Sequence, residues 1–140
     1  MAKSITVETV VKAPLEKVWA CWNDPAHIVQ WAFASDDWEA PAAENDLKTG
    51  GRFKTVMAAK DKSASFDLTG TYTNVNGREA IDYDMDGDDR RHVAVRFEEV
   101  PEGVRVTETF DMENINSEEK QRGGWQAILE NFRKHVESHG

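Results

Sequence analysis

The last quarter of the chain carries apolar residues at the three- and four-residue spacing of an amphipathic helix. These residues fall on one face of a helix with about 3.6 residues per turn, and they are Trp125, Ile128, Leu129, Phe132 and Val136. Asn116 is placed to cap the start of this helix, with Glu119 three residues later to return the hydrogen bond. The pattern predicts one long C-terminal helix whose apolar face must be covered by the rest of the protein.

Two glycines interrupt the predicted helix. Gly123 and Gly124 each cost about 1 kcal/mol relative to alanine in a helix interior. Such residues are expected where the backbone passes close to another element, or where a helix bends above a cavity. The helix is therefore predicted to form a lid over a pocket.

Upstream of this helix, apolar and polar residues mostly alternate, as in strands that have one covered face. The first such face consists of Ile5, Val7, Thr9 and Val11. The later faces consist of Phe53, Thr55 and Met57; Phe66, Leu68, Gly70 and Tyr72; Ile81, Tyr83 and Met85; Val93, Val95 and Phe97; and Val104, Val106, Glu108 and Phe110. Pro101-Glu102-Gly103 indicates a tight turn between the last two.

Two short helices are predicted after the first strand. Pro14 suits the first turn of one that ends near Trp22, and Asp24-Pro25 combines a capping side chain with a proline at the first helical position of the second. His27, Ile28 and Trp31 would share a face there, whereas the segment 41–49 is predicted to be irregular.

These elements predict a single α+β domain over residues 1–140. Its order is one strand, two short helices, an antiparallel meander of about five or six strands, and the long helix across the concave face of the sheet. A straight helix cannot touch a strongly curved sheet everywhere, so the gap between them is the predicted ligand cavity.

Composition restricts the classes of partner. A formal net charge of −9 over 140 residues, with no stripe of Lys or Arg, argues against nucleic acid. The N-terminal residues alternate and lack the apolar run of a secretory signal or membrane span. The single cysteine, Cys21, agrees with a reducing compartment and is interpreted as a small buried residue between Trp19 and Trp22. We therefore predict a cytoplasmic protein that binds no membrane.

Metal chemistry has little support in the sequence. Asp82, Asp84 and Asp86 begin like a calcium-binding EF-hand loop, but Val93 stands where the bidentate glutamate belongs. His135 and His139 have the spacing of two helical ligands but no evident third ligand, so a solvated tail is predicted. His92 should point outward, His27 should line a helix surface, and neither has an evident cysteine or serine partner for nucleophilic catalysis. No metal and no other cofactor are predicted.

Glu108 is the main chemical candidate because it lies in phase with Val104, Val106 and Phe110 on an apolar face. It is either a pocket carboxyl that orients a ligand or acts as an acid or base, or a residue at a bulge that reaches water. Trp31, Trp38 and Trp125 are expected at the cavity rim. The predicted ligand-binding residues are Trp31, Trp38, Phe53, Met57, Tyr72, Tyr83, Phe97, Glu108, Trp125 and Leu129.

A series of short motifs, in order along almost the whole chain, resembles a known family. They are Ala13-Pro14 with Val18-Trp19, Asp24-Pro25 to Trp31, Gly50-Gly51-Arg52-Phe53, Gly70-Thr71-Tyr72, and Gly124-Trp125 with Leu129. The family is that of the domain homologous to the activator of the heat-shock protein 90 ATPase, within the START-like and polyketide-cyclase (SRPBCC) superfamily. The resemblance implies the helix-grip fold of the birch-pollen allergen, in which a curved antiparallel sheet holds a long C-terminal helix above a cavity.

The same resemblance implies several functions, because relatives include lipid carriers, polyketide cyclases, self-sacrificing resistance proteins and chaperone activators. The leading hypothesis is a protein that binds a small hydrophobic or aromatic molecule. The alternatives are a cyclase- or dehydratase-like enzyme, in which Glu108 or a tyrosine moves a proton, and an interaction protein whose partner is a chaperone.

Overall fold

The computed structural model describes residues 4–33, 37–86, 91–112 and 117–138. In those ranges the chain forms seven strands and three helices. The elements in chain order are β1 (Ser4–Val11), α1 (Leu15–Asn23), α2 (Pro25–Ile28), β2 (Trp38–Asn45), β3 (Arg52–Ala59), β4 (Ser65–Asn76), β5 (Ala80–Met85), β6 (His92–Val100), β7 (Gly103–Asp111) and α3 (Glu118–Ser138).

The strands form one antiparallel sheet in the order β1-β7-β6-β5-β4-β3-β2. From β2 to β7 every strand pairs with the next one along the chain, and β1 then adds to the far side of β7. The sheet curls into a half-barrel around the C-terminal helix, so the predicted helix-grip fold is confirmed.

The core lies between α3, α1 and the β1–β7–β6 part of the sheet. Val7, Glu108 and Val95 are directly opposite one another on the three strands. Helix α3 is also tied to β1, because the side chains of Arg122 and Gln126 donate hydrogen bonds to the carbonyls of Thr6 and Glu8, at 3.0 and 3.1 Å. The long helix therefore lies towards one end of the sheet and leaves the other end uncovered.

Helices α1 and α2 follow one another almost without a break. The Asp24 carboxylate accepts a hydrogen bond from the backbone N–H of Ala26 at 2.9 Å, which is the predicted cap ahead of Pro25. Pro14 stands at the capping position of α1, one residue before the predicted first turn. Where these helices meet the sheet and α3, the ring of Trp22 contacts Phe97 and Phe132, with centroids 5.7 and 4.8 Å apart.

The prediction of irregular chain over residues 41–49 is wrong for its first half, because β2 extends to Asn45 and pairs with β3. Pro41 suggested a break, since proline cannot donate to a strand ladder. The pairing register shifts between Glu39 and Ala42, so Pro41 lies in an irregular part of the ladder on the edge strand, where proline is tolerated. The meander therefore contains six strands.

The start of α3 differs slightly from the prediction. The Ser117 hydroxyl accepts a hydrogen bond from the backbone N–H of Lys120 at 3.2 Å, which is the capping bond expected from Asn116. Asn116 itself lies outside the described residues, as does His139.

The outer face of the sheet carries paired charges. Asp82 accepts a hydrogen bond from Arg96 at 2.6 Å, and Asp84 lies 2.7 Å from Nδ1 of the exposed His92. Asp82 and Asp84 thus alternate with Ile81, Tyr83 and Met85 as strand residues. The predicted hairpin tip beyond Asp86 falls mostly outside the described residues.

Candidate functional site: a cavity between the sheet and the C-terminal helix

A cavity of about 480 Å³ lies where the concave face of β3, β4 and β5 is not covered by α3. It is bounded by residues of α3, of α2 and the turn that follows it, and of the inner faces of five strands. Eight of the ten predicted ligand-binding residues line it: Trp31, Trp38, Phe53, Met57, Tyr72, Tyr83, Glu108 and Trp125. The remaining walls are mostly apolar as well, with Leu68, Ile81 and Met85 facing the space.

The other two predicted residues, Phe97 and Leu129, are not part of the cavity wall. Phe97 lies on β6, where the rings of Trp19 and Trp22 pack against it at 5.2 and 5.7 Å. Leu129 lies on the part of α3 that is fully enclosed by the core. Both have the right phase for the inner face, but they sit in the part of the sheet that the helices cover.

The aromatic wall is formed by the side chains of three adjacent strands. Phe53 on β3 contacts Tyr72 on β4 and Tyr83 on β5, with ring centroids 5.4 and 4.9 Å apart. Gly70 makes this arrangement possible, because a Cβ there would lie 2.7 Å from the Phe53 ring and 2.6 Å from the Asp84 carbonyl oxygen. The glycine of the Gly70-Thr71-Tyr72 motif therefore leaves room for the Phe53 ring beside β4.

One side of the cavity holds an ordered polar pair. The Tyr72 hydroxyl donates a short hydrogen bond to Oδ1 of Asn45, and Nδ2 of Asn45 donates to the Asn23 carbonyl at 2.7 Å. These bonds fix the amide and the hydroxyl in single orientations. Burial raises the pKa of Tyr72, against a smaller lowering by the Asn45 bond, so the phenol is neutral in the physiological range.

Among the described residues that line the cavity, Glu108 is the one acidic residue that is almost fully buried, with a relative exposure of 5%. Its neighbours across the sheet, Val7 and Val95, are apolar. Removal from water raises the pKa of its carboxyl from 4.5 to about 8. Glu108 is therefore largely protonated at pH 7.

The alternative interpretation of Glu108, a bulge or strand end that reaches water, is wrong. The residue lies inside β7 in unbroken register with both neighbouring strands. Burial also raises the pKa of the nearby Tyr83 hydroxyl well above its ordinary value, and the charge of Glu108 adds to this effect. A neutral carboxylic acid and a neutral phenol can each donate and accept a hydrogen bond.

Trp125 marks the boundary between the cavity and the solid core. Its ring stacks on Phe110 of β7, with centroids 3.8 Å apart and planes tilted by 10°, and it also lines the cavity. Of the two alternatives for the glycines before it, a close approach to another element is not observed, because a Cβ on Gly123 or Gly124 would meet nothing within 4 Å. Gly124 instead forms part of the cavity wall.

Sequence reasoning missed several cavity residues. Trp22 and Ile28 were placed on the short helices and were not among the predicted ligand-binding residues, although both line the cavity. Lys120 and Gln121, on the first turn of α3, precede the apolar stripe and gave no periodic signal. Phe66, 50% exposed, also lines the cavity, so its exposure points to a mouth on this side.

The prediction for His135 is wrong. It is buried at 7% exposure, and its Nε2 lies 2.8 Å from Nδ1 of His27. The Cys21 thiol is close to both rings, so these histidines do have a cysteine neighbour. The helical stripe around Val136 was correctly predicted to face the core, but His135 lies beside it on the covered edge of the helix, where it meets α1 and α2.

No helix in the described ranges is long and apolar enough to cross a membrane.

No protein of curated function matches the chain. Among solved structures, the chain is similar to the AHSA1-like protein of Aeromonas hydrophila, with 44% identity, 97% of this chain and 93% of that chain covered, and a TM-score of 0.90. It is also similar to a protein of Cytophaga hutchinsonii, with 48% identity, coverages of 96% and 92%, and a TM-score of 0.82.

A Chromobacterium violaceum protein at 21% identity shares the fold, with a TM-score of 0.87 and coverages of 96% and 98%. The family model described as activator of Hsp90 ATPase homolog 1-like protein matches residues 12–137. With the curled sheet, the long C-terminal helix and the predicted motifs in order, this match identifies the chain as a member of the activator of Hsp90 ATPase homolog 1-like family.

Proposed function

We propose that this protein binds a small apolar or aromatic molecule that carries one neutral polar group. The observation that carries the proposal is the cavity of about 480 Å³ with the buried Glu108 on its wall, where removal from water raises the pKa of the carboxyl. This volume lies within the range of small-molecule sites, and such sites combine apolar walls with a few placed polar groups. In the described part of the chain, no side chain or backbone group forms a hydrogen bond with the Glu108 carboxyl, which leaves it available to a ligand.

The protonation of Glu108 restricts the polar group of the ligand. A neutral acid donates well to a carbonyl or hydroxyl oxygen. A ligand carboxylate is disfavoured beside Glu108, because it would lose its hydration next to an acid that must stay protonated. Arg91 and Lys120, which also line the cavity, are the groups that could pair with a charged ligand away from Glu108. The proposed ligand class is therefore aromatic ketones, phenols and related compounds rather than free fatty acids.

Titration with a panel of flavonoids, polycyclic aromatic ketones and fatty acids tests the proposal. Binding is read from quenching of tryptophan emission and from amide chemical-shift changes along β3, β4, β5 and α3. We expect micromolar affinity for at least one aromatic carbonyl compound and weaker binding of fatty acids. If no compound binds below millimolar concentration, the proposal fails.

Variants of Glu108 locate the bound polar group. Glu108→Gln keeps a donor and should retain the affinity, whereas Glu108→Leu should lose about tenfold, equivalent to one hydrogen bond of about 1.4 kcal/mol. Glu98→Gln is the matched control, because Glu98 is exposed and pairs with Arg105 on the outer face. Equal affinities for all three variants would place the ligand elsewhere.

A second candidate is an enzyme of the cyclase or dehydratase type. The pKa of about 8 favours it, because a group that titrates near neutral pH can both give and take a proton. Glu108 would exchange a proton with the bound substrate, and the hydroxyl of Tyr83 would polarise a carbonyl. In this case Glu108→Gln should abolish turnover while substrate still binds. This result would distinguish an enzyme from a protein that only binds the molecule.

A chaperone-activating role has less support. It predicts an exposed apolar patch of several hundred Å². Within the described residues, Phe66 is the one large apolar side chain that is exposed. Specific recovery of a chaperone from a native lysate would nevertheless raise this role above the other two. The cytoplasmic location stays a prediction.

A further inference from the structure

Three ligand-type side chains meet at the junction of the three helices, away from the cavity wall. They are Cys21 on α1, His27 on α2 and His135 on α3, and we call them the Cys-His-His cluster. The Cys21 sulfur and one ring nitrogen of each histidine all lie within 4.8 Å of one another. None of the three lines the ligand cavity.

The local structure fixes the backbone at this junction. The Asp24 cap starts α2 directly after α1, so Cys21 near the end of α1 and His27 on α2 lie close together. The indole N–H of Trp31 donates to the Cys21 carbonyl at 2.9 Å, and the side chain of Asn131 on α3 donates to the Phe33 carbonyl at 2.6 Å. The segment after α2 is therefore tied to both α1 and α3.

We propose that the Cys-His-His cluster binds one Zn²⁺ ion through Cys21 Sγ, His27 Nδ1 and His135 Nε2. One thiolate and two imidazoles are the ligand types that zinc prefers, whereas Mg²⁺ and Ca²⁺ take oxygen ligands. Three protein ligands leave a fourth tetrahedral position for water or another small ligand. Sequence reasoning found no third ligand because helical spacing pairs His135 with His139. The other two ligands of the cluster lie more than one hundred positions earlier in the chain.

The three ligand atoms lie within 4.8 Å of one another, so they must shift before they can all bind one zinc ion. Tetrahedral coordination with Zn–N of about 2.0 Å and Zn–S of about 2.3 Å places the two nitrogens about 3.3 Å apart and each about 3.5 Å from sulfur. The 2.8 Å contact between the two rings is shorter, so the rings must separate by about 0.5 Å. Zinc binding releases the Cys21 thiol proton to solvent, and the ring proton between the two histidines moves to the outer nitrogen of its own ring, so one proton is released for each ion bound.

Burial makes this site selective and still reachable. Cys21 and His135 are 2% and 7% exposed, so the ion would be held in a largely dry environment where thiolate and imidazole coordination is strong. His27 is half-buried on the short outer helix α2, which gives the ion a route in from the surface. The ring of His27 thus closes the site from outside.

Metal titration of the full chain tests the proposal. Protein freed of metal with a chelator is titrated with Zn²⁺ in competition with a chromophoric chelator, and separately with Co²⁺ under reducing conditions. We expect one ion per chain, a thiolate-to-cobalt charge-transfer band in the near ultraviolet and the intense visible bands of tetrahedral cobalt. Pale octahedral cobalt spectra without a charge-transfer band would overturn the proposal, as would the absence of competition with the chelator.

Three substitutions assign the ligands. Cys21→Ser and His135→Gln should each reduce zinc affinity by at least about 100-fold, more than the loss of an outer-shell partner. His27→Gln should do the same at a half-buried position where folding is less at risk, and amide spectra of each variant check the fold. His92→Gln is the control, because His92 pairs with Asp84 on the outer face of the sheet. Unchanged affinity in His27→Gln, or an equal loss in His92→Gln, would show that the ion binds elsewhere.

Discussion

The two ends of the sheet carry the same alternating pattern of apolar residues, but only one end is filled. Under α3 and α1, the inward side chains of β1, β7 and β6, such as Val106 and Val95, are completely buried. On β3 and β4 the equivalent positions, such as Phe53 and Leu68, face the cavity. Alternation along a strand therefore predicts which face turns inward, but not whether that face meets protein or space.

The width of the sheet explains the difference. Seven strands at about 4.8 Å spacing span about 29 Å, whereas one helix with its side chains is about 10 to 12 Å wide. Helix α3 is tied to β1 by Arg122 and Gln126, so it covers the β1 end. The other end is left as a concave surface, and Glu108 lies on the strand where the two regions meet.

The largest effect should come from the filled end. Phe132 is fully buried and its ring contacts Trp22 and Trp31 at 4.8 and 4.9 Å. Phe132→Ala should lower the free energy of unfolding by about 3–5 kcal/mol, because neighbours held by several elements cannot collapse into the space. Urea denaturation monitored by circular dichroism measures this. A loss below about 1 kcal/mol would mean that this end is as loosely packed as the cavity.

Glu108, at the boundary, should give the protein a characteristic dependence of stability on pH. Its folded pKa of about 8 lies above the ordinary 4.5, so between these values the folded state holds a proton that the unfolded state has released. The contribution of Glu108 to the free energy of unfolding should therefore be greatest below pH 4.5, and it should fall as pH rises towards about 8. The slope should reach about 1.4 kcal/mol per pH unit.

The measurement is a set of denaturation curves across this pH range for the native sequence and for Glu108→Gln. Other titrating groups are common to both proteins, so they cancel in the difference between the two free energies. The difference should change with pH in the stated sense and level off above about pH 8. A difference that is constant with pH would show that Glu108 has the same pKa in the folded and unfolded states.

The sequence predicted the inward faces well because each is recorded in local periodicity. Steps of three and four residues predict the apolar stripe that ends at Val136, and steps of two predict the strand faces. The same steps of two place the charged Glu108 on an apolar face. Within the described residues, local patterns also identified Asp24 as a helix cap and Pro101-Glu102 as the turn between β6 and β7. These features depend on residues that are neighbours in the sequence.

The features that were missed depend on contacts between distant segments. His135 meets His27 only because α3 crosses the α1–α2 junction, and no spacing within the helix records that contact. Phe97 has the same alternation as Phe53, yet Trp19 and Trp22 fill the space above it. The division of one regular pattern into core, cavity and cluster is set by where the helices lie.

Trp125 provides a sharper comparison, because its ring touches both regions. One face stacks on Phe110 of the filled end, and the residue also lines the cavity. Trp125→Ala should lower the free energy of unfolding by about 1–3 kcal/mol, less than a fully packed aromatic side chain, because part of the ring already faces space. Ligand affinity should fall at the same time. A stability loss equal to that of Phe132→Ala, with unchanged binding, would assign Trp125 to the filled end alone.

The smallest effect should come from the cavity wall, where a side chain is removed next to space that already exists. Met57→Ala on β3 removes a cavity-lining side chain, and Leu129→Ala on α3 removes one of similar size from the filled end. We expect about 1 kcal/mol for Met57 and about 3 kcal/mol for Leu129, because only the second substitution creates a new void among close-packed atoms. Paired denaturation curves in the absence of ligand measure the two values.

Saturating ligand should then stabilise Leu129→Ala as much as the native protein and Met57→Ala less, because Met57 contributes to the site while Leu129 does not. Equal losses for the two substitutions would contradict the contrast between the two ends of the sheet, since the wall at Met57 would then be packed as tightly as the core.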